Sequence, residues 1–248
     1  MEDRIYQRPN RRLAMAGGPR VLSEIASLMS AAPFLYTAPR GDGHPVLVMP
    51  GFGASDRSTR VIRRFLGSLG YATQPWKLGR NLGPVMADLP ARLAARLDEV
   101  FVDNGKQKVS IVGWSLGGVY ARMLAYMHPD KVRQVITLGS PFAGRRLRAS
   151  EPLANIPSTA IFSKSDGIVP WQIASQQPSD IAENIEVYGS HLGLGFNSAV
   201  LYALADRLAN PADEWRSFKR TGWKRFVYGP AQLESDDSQS AQSSPVEH

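Results

Sequence analysis

The 248-residue chain contains no cysteine, which excludes disulfide scaffolds, thiolate nucleophiles and sulfur-ligated zinc. Histidine is nearly as scarce, at four residues, so chemistry that needs an imidazole has few places to find one. No stretch approaches the roughly 18 apolar residues that span a bilayer, and Met1-Glu2-Asp3-Arg4 lacks the basic-then-apolar run of a secretory signal. A soluble cytoplasmic protein is expected. Internal repeats are absent. Residues 1–20 are rich in Arg, Pro and Gly without a hydrophobic period and read as an extended arm. Residues 231–248 read as a disordered tail, because Ser, Gln and Asp bury too little apolar surface to offset their ordering entropy.

What is present between these ends suffices for one domain, residues 21–230, in a chain that is 43% hydrophobic. The net charge of +7 is uneven: positive residues gather in 1–20, in Arg145-Arg146-Leu147-Arg148 and between Arg216 and Arg225, while the tail is acidic. A solvated surface explains such patches better than nucleic-acid binding, and no nucleic-acid partner is expected. In residues 215–225, Trp215, Phe218 and Trp223 alternate with basic residues. That pattern suits a weak contact with an anionic lipid surface, and it equally suits a terminal element packed on the domain.

Short apolar runs alternate with helical patterns, the mark of a mostly parallel, doubly wound α/β sheet with helices on both faces. Strands are predicted at Pro45–Met49, Tyr71–Pro75, Lys108–Gly113, Val132–Leu138, Ser158–Ser163 and Ile185–Tyr188. Helices are predicted through Leu22, Ile25, Ala26 and Met29, through Val61, Phe65 and Leu69, from Val85 to Phe101, after Ser115 to about Met127, and over Phe196 to Leu208. Functional residues in such a fold lie beyond the carboxyl ends of the strands.

Gly113-Trp114-Ser115-Leu116-Gly117-Gly118 joins a buried-strand pattern to a helical one. A serine on a tight strand-to-helix turn is lifted toward substrate, with glycines two residues to either side relieving the crowding, and the helix N-terminus favours negative charge. Ser115 is therefore the candidate nucleophile. A serine hydroxyl needs a base, and His191 follows the last predicted strand, whereas His44 precedes the first, His128 ends a helix and His248 is terminal. Asp166, just past a strand in Ser165-Asp166-Gly167-Ile168-Val169-Pro170, is the candidate acid, with Asp180 and Glu186 in reserve; a residue chosen only for its turn geometry is the plain alternative. The Leu116 N–H and the Phe52 N–H, in Pro50-Gly51-Phe52-Gly53, are the candidate oxyanion donors. Trp114 and Phe142 are the candidate substrate-binding residues. No metal and no cofactor is required.

In these blocks the chain resembles the α/β-hydrolase superfamily, and within it small bacterial lipase- and esterase-like serine hydrolases, over about residues 45–208. The resemblance implies a Ser115–Asp166–His191 triad, in the chain order Ser, Asp, His that this fold uses. Pro50 and Trp114 each replace a histidine common in relatives, which favours ester hydrolysis in general over triglyceride cleavage. The connection from Gly139 to Pro157 is too short for a large cap domain, but Phe142, Leu147 and Leu153 suit a small flap, making residues 144–157 a candidate lid. The reading is thus a carboxylic ester hydrolase working through an acyl-enzyme on a small-molecule or lipid-like ester. A thioesterase or an acyltransferase with the same triad is the alternative, followed by a non-catalytic ligand-binding homologue.

Overall fold

The computed structural model of the chain describes Ala26, Leu28, residues 35–143, Leu153, residues 155–212 and residues 214–230. The expected N-terminal arm, the C-terminal tail and most of the candidate lid, Leu147 included, lie outside the described residues. Ala26 and Leu28 are helical, as the spacing around them predicts.

Seven strands form one sheet in the order β2-β1-β3-β4-β5-β6-β7. They are β1 (Pro45–Met49), β2 (Ala72–Pro75), β3 (Val109–Trp114), β4 (Val132–Leu138), β5 (Ser158–Phe162), β6 (Ala182–Val187) and β7 (Tyr228–Gly229). All neighbours run parallel except β7, which pairs antiparallel with β6. The longer helices are α1 (Arg60–Ser68), α2 (Leu89–Asp103), α3 (Leu116–Met127) and α5 (Ser198–Leu208); α4 (Trp171–Ala174) and α6 (Lys224–Val227) are single turns.

Successive side chains of a strand point to opposite faces, and this alternation builds two cores. Val46 and Val48 of β1 join Ile62 and Leu66 of α1 and the apolar face of α5, while Leu47 and Met49 join Leu89, Leu93 and Leu97 of α2 and Ala121 and Leu124 of α3. The result is a sheet between two helical layers, as expected of the doubly wound α/β class.

Three elements depart by more than one residue from their sequence expectations. Val85 lies in a separate 3-10 turn and is exposed. Pro90 explains this, since it fits only the first turn of a helix and α2 therefore begins at Leu89. α5 begins at Ser198 rather than Phe196, because the Asn197 side chain accepts from the Ala199 and Val200 N–H groups and caps it. β6 begins at Ala182, three residues before the predicted start. Glu183 and Asn184 hide it: both are polar yet buried, bonded to Thr159 and Gln176.

The register positions the functional loops. Met49 pairs with Gly113, Trp114 with Leu138, Leu138 with Ile161, and Ile161 with Ile185. The loops that follow β1, β3, β4, β5 and β6 consequently leave the same edge of the sheet side by side. The chain passes from β1 outward to β2 and then returns to β3 on the other flank of β1, so the winding direction switches between β1 and β3. Crevices in open α/β sheets form at such switch points.

Candidate active site

Ser115 stands at the end of β3 with φ 52° and ψ −122°, a region costly for any side chain. Its N–H donates to Leu138 O at 2.8 Å, and its carbonyl accepts from Gly118 N–H at 3.0 Å. The flanking glycines are sterically required: a Cβ on Gly113 would lie 2.3 Å from Gly118 Cα, and one on Gly117 would lie 2.6 Å from Met49 O. The turn leads directly into α3, whose N-terminal N–H groups favour an anion at the serine.

His191 Nε2 lies 3.0 Å from Ser115 Oγ, and His191 Nδ1 lies 2.6 Å from Asp166 Oδ2. Both the imidazole and the carboxylate are buried, at 5% and 7% exposure. The other carboxylate oxygen, Asp166 Oδ1, accepts from the Ile168 and Val169 N–H groups, each at 2.8 Å. One side chain thus forms the turn and holds the histidine, so the two readings of Asp166 are not exclusive. Of the reserve acids, Glu186 pairs with Lys164 at 3.0 Å and Asp180 is exposed.

The histidine loop is held from beneath. Ser163 Oγ and Ser165 Oγ donate to Gly189 O at 2.8 and 3.1 Å, and Gly193 N–H donates to Ser190 Oγ at 3.1 Å. Gly139, at φ 53°, leaves the space the pair needs, since a Cβ there would approach Asp166 Oδ2 to 3.2 Å and His191 Nδ1 to 3.3 Å. Its position directly after β4 is the only sequence signal for this role.

The 50–54 loop backs the serine, with the ideal Cβ position on Gly51 3.2 Å from Ser115 Cβ. Neither the Phe52 N–H nor the Leu116 N–H meets an acceptor among the described residues. Both side chains converge on Gly83, whose ideal Cβ position lies 3.3 Å from the Phe52 ring and 3.5 Å from Leu116 Cδ2. The two N–H groups therefore belong to one neighbourhood beside Ser115, with donor capacity to spare for an oxyanion. Asn81, which sequence reasoning passed over, underlies this loop: it is fully buried and bonded to Pro50, Gly53, Ala54 and Gly83.

Two expected substrate-binding residues face inward instead. Trp114 is 7% exposed, stacks edge-on against Phe196, and donates from Nε1 to His191 O at 3.2 Å. Strand alternation sends it into the core under the histidine loop, which its Nε1 bond supports. Phe142 is 0% exposed and lies under the Arg122 guanidinium, 4.4 Å from its ring centre. Burial pulls the Arg122 pKa down to about 10. Leu153, like Phe142 a residue of the expected flap, is also buried. Phe52, Leu82, Val85, Ile168 and Leu192, in the 50–54 loop, around Gly83 and in the loops that carry Asp166 and His191, are exposed apolar residues.

The 215–225 segment packs on the domain. Lys224 Nζ pairs with Asp206 Oδ2 at 2.6 Å and lies over the Phe218 ring at 4.6 Å, while Arg220 donates to Tyr228 O at 2.6 Å. No helix among the described residues is long and apolar enough to cross a membrane, and no group of His, Asp and Glu among them is arranged to hold a metal.

Residues 46–157 match a family model described as alpha/beta hydrolase fold. A homoserine O-acetyltransferase of Thermus thermophilus is 34% identical over 86 residues, which are 33% of this chain and 23% of that protein; the match thus spans about a quarter of the relative's length. Among solved structures, the pyrethroid hydrolase PytH is 14% identical, with 69% of this chain and 100% of that chain covered and a TM-score of 0.56. The thioesterase domain from the curacin biosynthetic pathway is 15% identical, with coverage of 69% and 92% and a TM-score of 0.51. At such identities the two structures establish a shared fold.

Proposed function

We propose that the chain, whose residues 46–157 match the alpha/beta hydrolase family model and whose sheet has that fold, hydrolyses carboxylic esters through an acyl-enzyme on Ser115. The observation that carries the reading is the continuous hydrogen-bonded line from Ser115 Oγ through His191 to Asp166, beside two N–H groups with no acceptor among the described residues. Asp166 Oδ2 accepts from Nδ1–H, which fixes the tautomer and leaves Nε2 to take the serine proton. The serine oxygen attacks the ester carbonyl, and the Phe52 and Leu116 N–H groups receive the developing oxyanion. His191 returns the proton to the departing alcohol. A water molecule, deprotonated by the same nitrogen, then releases the acid and restores the serine. The exposed apolar side chains in the loops that carry Phe52, Asp166 and His191 favour esters with apolar acyl or alcohol groups.

A second reading, acyl transfer to an acceptor other than water, draws support from the match to the homoserine O-acetyltransferase. Both readings share the first half-reaction. p-Nitrophenyl esters of increasing chain length, run beside a thioester panel and with added alcohols as acceptors, separate hydrolysis from transfer and oxygen from sulfur leaving groups. Fluorophosphonate labelling mapped by mass spectrometry is expected at Ser115. Labelling elsewhere, or none on folded protein, ends both readings.

A further inference from the structure

The donor assigned to Phe52 is carried by a loop that cannot hold itself. It contains two glycines, one of them Gly53 at φ 72°, and the Phe52 side chain is 68% exposed and so provides little anchorage. Its only internal bond among the described residues is Ala54 N–H to Gly51 O, at 3.2 Å. Oxyanion stabilisation depends on donors fixed before the charge appears, and a displacement of about 1 Å can cost on the order of 100-fold in rate.

Asn81 meets this loop on both sides of Phe52. Its side-chain Nδ2 donates to Pro50 O at 2.9 Å. Its backbone carbonyl accepts from Gly53 N–H at 2.6 Å, and its backbone N–H donates to Ala54 O at 2.8 Å. Its Oδ1 accepts from Gly83 N–H at 3.1 Å, which fixes the amide's orientation, and the residue is 0% exposed. The backbone bonds hold the loop after Phe52 and would survive substitution. Upstream of Phe52, the side-chain amide is the contact from this segment.

We propose that Asn81 is a positioning residue for catalysis, its carboxamide holding the Pro50 carbonyl so that the Phe52 N–H points at the oxyanion. The inference rests on the ester-hydrolase reading above, because without an oxyanion the loop has nothing to be positioned for. Nothing about Asn81 resembles a catalytic motif in sequence, and it lies 34 residues before Ser115.

Asn81→Asp keeps the shape and the acceptor for Gly83 but replaces the donor to Pro50 O with a carboxylate oxygen. Asn81→Ser, uncharged and smaller, serves if that buried charge prevents folding. Activity is measured per active site, counted by fluorophosphonate titration, and alongside it the affinity for phenylboronic acid, whose tetrahedral adduct with serine places an oxygen in the oxyanion position. The expected result is a kcat roughly 10- to 100-fold lower with KM within about threefold, and a boronate affinity weakened by about the same factor as kcat. A purely structural residue would lower Tm and the number of titratable sites and leave kcat per site and boronate affinity alone; that outcome overturns the proposal, as does a lower kcat with boronate affinity unchanged. If the wild type hydrolyses no ester and takes no label, the functional reading fails and this inference falls with it.

Discussion

Replacing Asp166 by Asn separates its two roles, because the carboxylate divides them between its oxygens. Asn keeps one oxygen, and the amide has two orientations. With oxygen toward the loop it preserves both bonds to the Ile168 and Val169 N–H groups, now 2.8 Å, and points an NH₂ donor at His191 Nδ1, now 2.6 Å from the carboxylate. With oxygen toward His191 it sets its NH₂ against the Ile168 and Val169 N–H groups, of which the buried Val169 N–H costs about 1–3 kcal/mol when unsatisfied. The first orientation wins, since imidazole escapes the clash by moving its proton from Nδ1 to Nε2. That tautomer presents N–H to Ser115 Oγ, 3.0 Å away, and cannot accept the serine proton. The analogous Asp-to-Asn change in a serine-protease triad, which imposes the wrong histidine tautomer, lowers kcat by about 10⁴, equivalent to about 5 kcal/mol of barrier. Stability loses one charged hydrogen bond, about 1.5–3 kcal/mol, or a Tm lower by roughly 3–12 °C. The assay is kcat on a p-nitrophenyl ester together with thermal unfolding, for Asp166→Asn, Asp180→Asn and Glu186→Gln. A loss under tenfold at Asp166 refutes the reasoning, and a large loss at either of the others moves the acid there.

Two further expectations concern groups away from the serine. Burial holds His44 below its ordinary pKa, with the Arg133 charge adding to the effect and Asp42 opposing it. A histidine that protonates less readily folded than unfolded contributes its stability above the unfolded value of about 6.5, and that contribution is lost as pH falls below it. Beside Asp42, Arg133, Tyr71 and Ser110, a non-titrating His44→Gln should therefore show a smaller drop in Tm between pH 7.5 and 5.5 than the wild type; equal drops would dispose of the assignment. Lys224→Glu sets a carboxylate against Asp206 and should cost about 2–3 kcal/mol, seen as a Tm roughly 4–12 °C lower. The exposed Lys219 is the cleaner probe of the proposed lipid contact: salt-sensitive cosedimentation with anionic vesicles should weaken in Lys219→Glu, and equal binding by wild type and variant removes the contact.

The sheet was legible because its buried strands are apolar runs, and β1 and β4 fall on their predicted limits. β6 and β7 were not, for opposite reasons. Glu183 and Asn184 are polar residues whose partners, Arg207, Thr159 and Gln176, come from distant segments. β7 is two residues long, and its Tyr228 is fixed by a hydroxyl bond to Ala199 O at 2.8 Å rather than by any local pattern. At the site, residues carrying chemistry stood out through motif and chain order, while those that hold them did not. Asn81 acts through a side-chain amide bonded to the Pro50 carbonyl and the Gly83 N–H, and Gly139 through empty space, and neither leaves a local signature. Trp114, a candidate for substrate contact, is buried, because the alternation of β3 sends its side chain into the core and away from that of Ser115.

A second line of Ser, His and Asp tests what the assignment depends on. Ser110 Oγ lies 2.8 Å from His44 Nε2, and His44 Nδ1 lies 2.5 Å from Asp42 Oδ1, distances no longer than those at Ser115. Geometry of the trio alone would make Ser110 a nucleophile as readily. But Ser110 is 0% exposed within β3 and paired with Val46 and Gln134 on both sides, so no carbonyl carbon can reach its oxygen. It also begins no helix, whereas Ser115 has α3 and two N–H groups without an acceptor among the described residues beside it. Asp42 is further engaged by Arg133 at 2.9 Å, which marks the trio as a fastening of the lower edge of the sheet. Access and oxyanion donors, not the hydrogen-bonded line, therefore decide between the serines. Ser115→Ala should abolish both ester hydrolysis and fluorophosphonate labelling. Ser110→Ala should lower Tm, because it leaves His44 Nε2 buried without its donor, and should leave the label on Ser115 and kcat per labelled site within about twofold of the wild type. Loss of labelling in Ser110→Ala with a fold still intact would reverse the assignment.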